Sequence, residues 1–358
     1  MKIFSFQCQI GLLLLTLAFI LYPTGFCVDV DVYTQFRVEL SSGPVTRQGN
    51  SGGSCHGIDA DLNAIYREAI DMAQVALDSI NNYAEDSTVR ATLKTFFGIK
   101  EDEFTTLVDT RYLLLFNFVE ETYKKIIAFS TTTHNGLEPS LFCSESWRWR
   151  TEWEYDRTTG KRTGRRLRDI PGLEPFNYWA PRFKDYVGGS EALCEGKTMA
   201  FTTLRRKSIT FCPFTFEAGG RRDILGPWRS GEKFIPEGVP LFFYASTSGN
   251  FLHELSHLVT DGRVNDQKYG DQPAYGPVLS AWLAALDPTR AVVNADSYTW
   301  FAIAMYLPQY DWSRAMSAKR AAGQDLYIKG NDGLKSRTFH IWNLTYPMAE
   351  DEGEDDMS

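Results

Sequence analysis

Residues 252–258 read Leu-His-Glu-Leu-Ser-His-Leu, and no other stretch of the 358-residue chain restricts the fold as strongly. His253 and His257 stand four positions apart, so on an α-helix both imidazoles lie on one face. Phe251, Leu252, Leu255 and Leu258 then need a hydrophobic core on the other side. Ser246, Thr247 and Ser248 offer N-caps, and Gly262 can stop the helix. Such a helix can bring both imidazoles to a single Zn²⁺, with Glu254 beside the position that holds water. The chain has only five histidines, which weighs against two merely structural ones at this spacing.

A zinc site that does chemistry takes three protein ligands and keeps a fourth position open. Position 263, six residues after His257, is arginine, and the next histidine is His340, so a carboxylate has to complete the set. The candidates are Asp261, Asp266 and Asp271. Asp261 precedes Gly262, which breaks the turn that would aim it. Asp266 lies in a segment that can double back under the helix, and that geometry suits it better.

The N-terminus predicts a secretory leader. Lys2 precedes an apolar run from Ile10 to Tyr22 that is interrupted by Thr16 and shorter than the roughly 20 residues a comfortable membrane span needs. A leader over 1–27, cleaved after Cys27, leaves Cys55, Cys143, Cys194 and Cys212 for an oxidising compartment, where two disulfides are expected. Cys194 and Cys212 flank two strand-like runs, Met199–Leu204 and Ser208–Phe216, so they are expected to pair across a hairpin, leaving Cys55 for Cys143. Asn343-Leu344-Thr345 is the only glycosylation sequon. With 45 acidic and 37 basic residues, a formal charge of −8, the chain carries no global positive field for nucleic acid. No stable membrane anchor is expected.

Residues 28–57 read as an extended N-terminal arm. Apolar residues at helical spacing from Leu62 to Ile80 predict a long helix capped by Asp59 or Asp61, with further helices over Val89–Phe97 and from Glu103 to about Phe129. Within the last, Leu113 to Phe118 is expected to be buried on most sides. The segment 144–190 interleaves Trp147, Trp149 and Trp153 with Arg148 and Arg150 and continues into a cluster of cations. It is expected to be a solvated insertion loop. Residues 350–358, with Glu350, Asp351, Glu352, Glu354, Asp355 and Asp356, form an acidic tail.

Downstream of the histidines, Asp266-Gln267-Lys268-Tyr269-Gly270 resembles the second half of the Gly-Thr-x-Asp-x-x-Tyr-Gly signature of the deuterolysin and peptidyl-lysine metalloendopeptidase family, the aspzincins. Asn294-Ala295-Asp296-Ser297-Tyr298-Thr299-Trp300-Phe301-Ala302 is similar to that family's Asn-Ala-Asp-x-Tyr-x-x-Phe-Ala helix. Arg263 and Val264 depart from the signature, and Asp271 with Tyr275-Gly276 forms a second candidate pair. The resemblance implies a fungal-type secreted peptidase with one Zn²⁺ on His253, His257 and Asp266 and with Glu254 as general base. It also implies a tyrosine, Tyr269 or Tyr275, that steadies the oxyanion. In lysine-specific members the aspartate matching Asp296 joins a second acid three residues on to form a substrate pocket. That position is Thr299 here, so a strict lysine requirement is not implied, and Asp296 can equally support a zinc ligand.

The expected architecture is a single α+β, zincin-like domain over 58–349, mostly helical with a small β-sheet and an active-site helix. The expected function is a secreted, monomeric zinc endopeptidase acting on protein or peptide substrates. The rival is a non-catalytic secreted zinc-binding surface protein or antigen, for which Glu254 would be superfluous.

Overall fold

The computed structural model describes residues 30–40, 53–56, 61–100, 110–134, 138–171, 174, 177–187, 193–194, 196–216 and 224–319. The expected leader, Asn343, His340 and the acidic tail lie outside these residues.

Where an extended arm is expected, the chain enters the core. Helix α1 (Val32–Gln35) is capped by Asp31 and leads into β1 (Arg37–Val38). Val32 and Phe36 are buried, and that apolar burial turns the segment inward. Helix α2 (Leu62–Asn81) starts at Asp61, whose side chain accepts from the Asn63 and Ala64 amides; it buries Leu62, Ile65, Ala69, Met72, Ala76 and Ile80. Helix α3 (Ser87–Phe97) is capped by Asp86 and ends at Gly98, where φ is 69°. A Cβ on Gly98 would stand 2.3 Å from the Ala284 carbonyl oxygen, so only glycine fits.

Helix α4 (Thr110–Thr131) corrects a second expectation. Leu113 and Leu114 are 49% and 63% exposed, not buried on most sides. The helix meets the core along one stripe, Val119, Tyr123 and Ile126, at spacings of four and three. Leu115 and Phe116 continue that spacing and are partly buried; Leu113 and Leu114 fall off it.

The supposed solvated insertion is a folded unit. After β2 (Ser140–Phe142) come β3 (Trp149–Thr151), β4 (Trp153–Tyr155), β5 (Arg162–Arg166), β6 (Asn177–Ala180) and β7 (Asp185–Val187). Strands β3, β6 and β7 make a three-stranded antiparallel sheet, and β4 pairs with β5. Trp147 and Trp179 are fully buried. Trp147 stacks on Phe142 at 5.0 Å between centroids, and Tyr155 stacks on Trp179 at 4.8 Å. Arg162 lies over the Trp153 ring and Arg148 over Tyr178. The alternation of rings and cations that looks like a solvated loop in sequence therefore builds a small aromatic core with guanidinium groups on ring faces.

Strands β8 (Ala200–Thr203) and β9 (Ser208–Phe211) form an antiparallel hairpin. They complete a four-stranded sheet of order β1-β2-β9-β8, with β2 parallel to both β1 and β9. Disulfides join Cys194 to Cys212 and Cys55 to Cys143.

The rest of the described chain holds α5 (Gly226–Arg229), α6 (Thr247–Val259), β10 (Lys268–Tyr269), β11 (Gln272–Pro273), α7 (Gly276–Leu286), α8 (Pro288–Ala291), α9 (Ala295–Tyr306), β12 (Tyr310–Asp311) and β13 (Ala318–Lys319). Helices α2, α4 and α9 surround α6. Phe251 of α6 is wedged among Phe36, Tyr66 and Phe211. Buried Glu68 of α2 ties these helices together: it accepts from the Leu225 amide, the Ser248 hydroxyl of α6 and the Tyr306 hydroxyl of α9. Burial raises its pKa, and these donors work the other way. The architecture is thus mixed α/β, with several small sheets beside a helical layer. No helix among the described residues is long and apolar enough to cross a membrane.

Candidate metal centre

Helix α6 begins where the Ser246 hydroxyl accepts from the Gly249 amide at 3.0 Å. Its inner face buries Phe251, Leu252, Leu255 and Leu258, which turns His253 and His257 together towards the opposite side. Both imidazoles keep 12% of their side-chain surface exposed. The helix ends at Thr260, and Asp261 and Gly262 both adopt positive φ, 50° and 74°. The positive φ at Gly262 favours glycine, and a Cβ there would also push aside the exposed Leu204 side chain.

The reversal carries the chain back beneath its own helix. The Asn265 amide donates to the Val293 carbonyl, and the Ala295 amide donates to the Asn265 carbonyl. Fully buried Asn294 accepts from the Gln267 amide at 3.1 Å and donates to Ser297 Oγ. These bonds bracket Asp266 on both sides and fix where its backbone stands.

Asp266 Oδ1 lies 3.0 Å from His253 Nε2 and 3.4 Å from His257 Nε2, and the two Nε2 atoms are 3.1 Å apart. A tetrahedral ion with bonds of roughly 2.0–2.1 Å has ligand atoms about 3.3 Å from one another. The three measured edges bracket that value. Asp261, on the turn, and exposed Asp271 are not brought to this group; among the described residues it consists of His253, His257 and Asp266.

The other imidazole nitrogens show why the group suits a cation. His257 Nδ1 donates to the Val264 carbonyl at 2.9 Å, which leaves its Nε2 as a lone pair. His253 Nδ1 is 2.8 Å from Asp296 Oδ1, and the carboxylate there selects the same tautomer. With both imidazoles neutral, two lone pairs and a carboxylate oxygen point at one spot, which calls for a positive charge there: a proton in the metal-free protein, or a cation. Burial disfavours the protonated form of His253, yet Asp266 and Asp296 outweigh it and hold its pKa well above the usual imidazole value. His257 is raised as well: burial opposes the shift and the Asp266 hydrogen bond drives it. Burial would lift Asp266, but the two imidazoles hold it far below the usual carboxylate range.

Asp296 is fully engaged. Its Oδ2 accepts from Trp300 Nε1 at 3.0 Å and from the Gly276 amide, while Oδ1 serves His253. Thr299 is buried within α9. Of the two expected surroundings for Asp296, a second acid three residues on or a histidine of the α6 pair, the structure places it against His253.

The two candidate tyrosines separate clearly. Tyr275 donates its hydroxyl to Asp266 Oδ2 at 2.9 Å, and its ring lies 6.2 Å from that of His253. Tyr269 packs on Trp282 in a small cluster with Ala274 and Leu283. Burial of the Tyr275 hydroxyl and the Asp266 charge both push its pKa up, so it stays a proton donor near neutral pH. Glu254, 4% exposed, sits next to the imidazoles without belonging to the three-ligand group, and its Oε2 accepts from Thr202 Oγ1 at 2.6 Å. Burial raises its pKa against the pull of His253, His257 and Thr202.

Sequence reading overlooked Thr202, Trp300 and the Val264 carbonyl. Trp300 was within reach, since it stands four residues after Asp296 on one helix. Thr202 comes from a strand some fifty positions away, and nothing local marks it.

No family model matches the chain, and no curated protein matches it in sequence. Among solved structures it is similar to a zinc peptidase from Grifola frondosa, with 14% identity over 67% of this chain and 93% of that one, at a TM-score of 0.34.

Proposed function

We propose that this chain is a secreted zinc-dependent endopeptidase. The observation that carries the proposal is the convergence of His253 Nε2, His257 Nε2 and Asp266 Oδ1 at 3.0–3.4 Å, with an uncoordinated, buried glutamate beside them. The donor set fits the ion: two neutral imidazoles and one carboxylate are ordinary zinc ligands, and each imidazole has an oxygen partner that fixes its tautomer. Zinc in such a site supplies Lewis acidity, polarising a carbonyl and lowering the pKa of water.

The protein's own groups do the rest. Glu254 takes a proton from the attacking water and passes it to the departing amine, a task that needs a carboxylate within hydrogen-bond reach. The Tyr275 hydroxyl, protonated and on the open side beside Asp266, can turn to the oxyanion of the tetrahedral species. Loss of one such donor typically costs about 2.7–4 kcal/mol of transition-state stabilisation. Among the described residues strand β8 is the last of its sheet and packs against α6, so an extended peptide can pair with that edge next to the site. Two disulfides suit an oxidising compartment.

The test is cleavage of denatured casein by the zinc-loaded protein beside Glu254→Gln. Activity that falls about 10²- to 10⁴-fold in the variant while zinc is retained supports the proposal. Equal cleavage by the variant would point to a contaminant. Zinc binding without any cleavage would leave the chain a metal-binding surface protein.

A further inference from the structure

Glu254 leaves α6 with three side-chain torsions to fix, and its backbone does not fix them. Its neighbours His253 and His257 are each held at the far nitrogen, by Asp296 and Val264, and the Asp266 carboxylate accepts from the Tyr275 hydroxyl. Among the described residues one hydroxyl does the same for Glu254. The Thr202 hydroxyl, on edge strand β8, lies 2.6 Å from Oε2 and 3.1 Å from the Glu254 carbonyl oxygen. It has a single hydrogen, and the shorter distance and the carboxylate's charge assign that hydrogen to Oε2. Thr202 itself is set by the hairpin register, in which it faces Ile209, a fully buried residue of β9.

We infer that Thr202 is a positioning residue for the general base: it anchors Oε2 so that Oε1 faces the site where water is deprotonated. The inference rests on the peptidase reading for its kinetic consequence, though not for its geometry. A hydroxyl donating to Oε2 holds one carboxylate oxygen and leaves the other for the water. It also removes rotamer freedom that a buried glutamate would otherwise have to lose at each turnover. Valine has nearly the shape of threonine without the donor, and serine keeps the donor, so the two substitutions separate the hydrogen bond from packing.

The experiment compares zinc-loaded wild type, Thr202→Val and Thr202→Ser in kcat and KM on a quenched fluorescent peptide, in zinc affinity by competition, and in zinc-loaded crystal structures. Thr202→Val should lower kcat about 10- to 100-fold, the worth of a hydrogen bond to a charged group. KM should stay within about twofold and zinc affinity should not change. Thr202→Ser should recover most of the loss, and the Glu254 side chain should leave its single position in the valine variant alone. A valine variant with wild-type kcat would overturn the inference. So would serine and valine variants equally impaired and equally weakened in zinc binding, since that pattern belongs to a structural role. If wild type cleaves no peptide, the peptidase reading fails by itself; the crystal structures still decide this inference, which stands if Glu254 is released in Thr202→Val and falls if it is not.

Discussion

Two parts of this molecule use the same kinds of side chain in opposite ways. Around α6, polar groups are ordered in relays: Trp300 to Asp296 to His253, and Tyr275 to Asp266 to the imidazoles. In the unit formed by β3 to β7, aromatic rings make the core and arginines cover ring faces. The first region spends its burial on holding charge in place. The second uses charge to finish a hydrophobic surface. A polar residue near α6 is therefore expected to affect metal and rate, and an aromatic residue between β3 and β7 is expected to affect stability alone.

The largest effect that could break this contrast is Trp179→Ala. Removing a fully buried indole that carries the Tyr155 stack should cost about 3–5 kcal/mol. Zinc affinity at a temperature where the variant remains folded should match wild type. Equilibrium unfolding and zinc competition on one preparation check both halves, and a large fall in affinity would join the two regions that the contrast separates.

Next comes Asp296→Asn, which keeps volume and removes the charge that fixes the His253 tautomer. Loss of such an outer partner typically weakens metal binding or activity about 10- to 100-fold, with little change in unfolding midpoint. A metal affinity that does not move would return Asp296 to the substrate-pocket role.

Acid should weaken zinc binding earlier than ordinary imidazoles would. In the metal-free protein the Asp266 and Asp296 carboxylates, overcoming burial, raise the pKa of His253, and Asp266 raises that of His257. Protons therefore compete with the metal from above the usual imidazole pKa of about 6.5 downward. Affinity measured from pH 8.5 to 5.5 should already be falling on the alkaline side of that value; a decline confined to more acid conditions would mean that the carboxylates do not hold the protons.

The smallest expected effect is at Leu114→Glu on α4. This leucine is 63% exposed and off the buried stripe, so unfolding stability should shift by no more than about 0.5 kcal/mol. A larger loss would show that the outer face of α4 is covered after all.

How far each region can be read in sequence follows from the range of its interactions. The histidine helix is local: a period of four, an apolar opposite face, and serine and glycine at its ends declare it. Asp266 could be narrowed to three candidates but not chosen by spacing, because its position depends on the Asn265 and Asn294 contacts across a reversal. Tyr269 and Tyr275 look equivalent in sequence, and the β10–β11 turn decides between them by sending Tyr269 towards Trp282. The aromatic unit reads as a loop in sequence because its stacks join residues such as Tyr155 and Trp179, distant in sequence and carried by strands of two different sheets. The inward turn at Val32 and Phe36 has no local signal either, because the partners that bury them come from other elements of the core.

The account stands most directly on where the metal sits. Crystals of the zinc-loaded protein, measured on both sides of the zinc absorption edge, should show one anomalous peak about 2.0–2.2 Å from His253 Nε2, His257 Nε2 and an Asp266 oxygen. Glu254 should lie beyond bonding distance of that peak. No peak there, or a peak coordinated by Asp271 or Asp261 in place of Asp266, would contradict it.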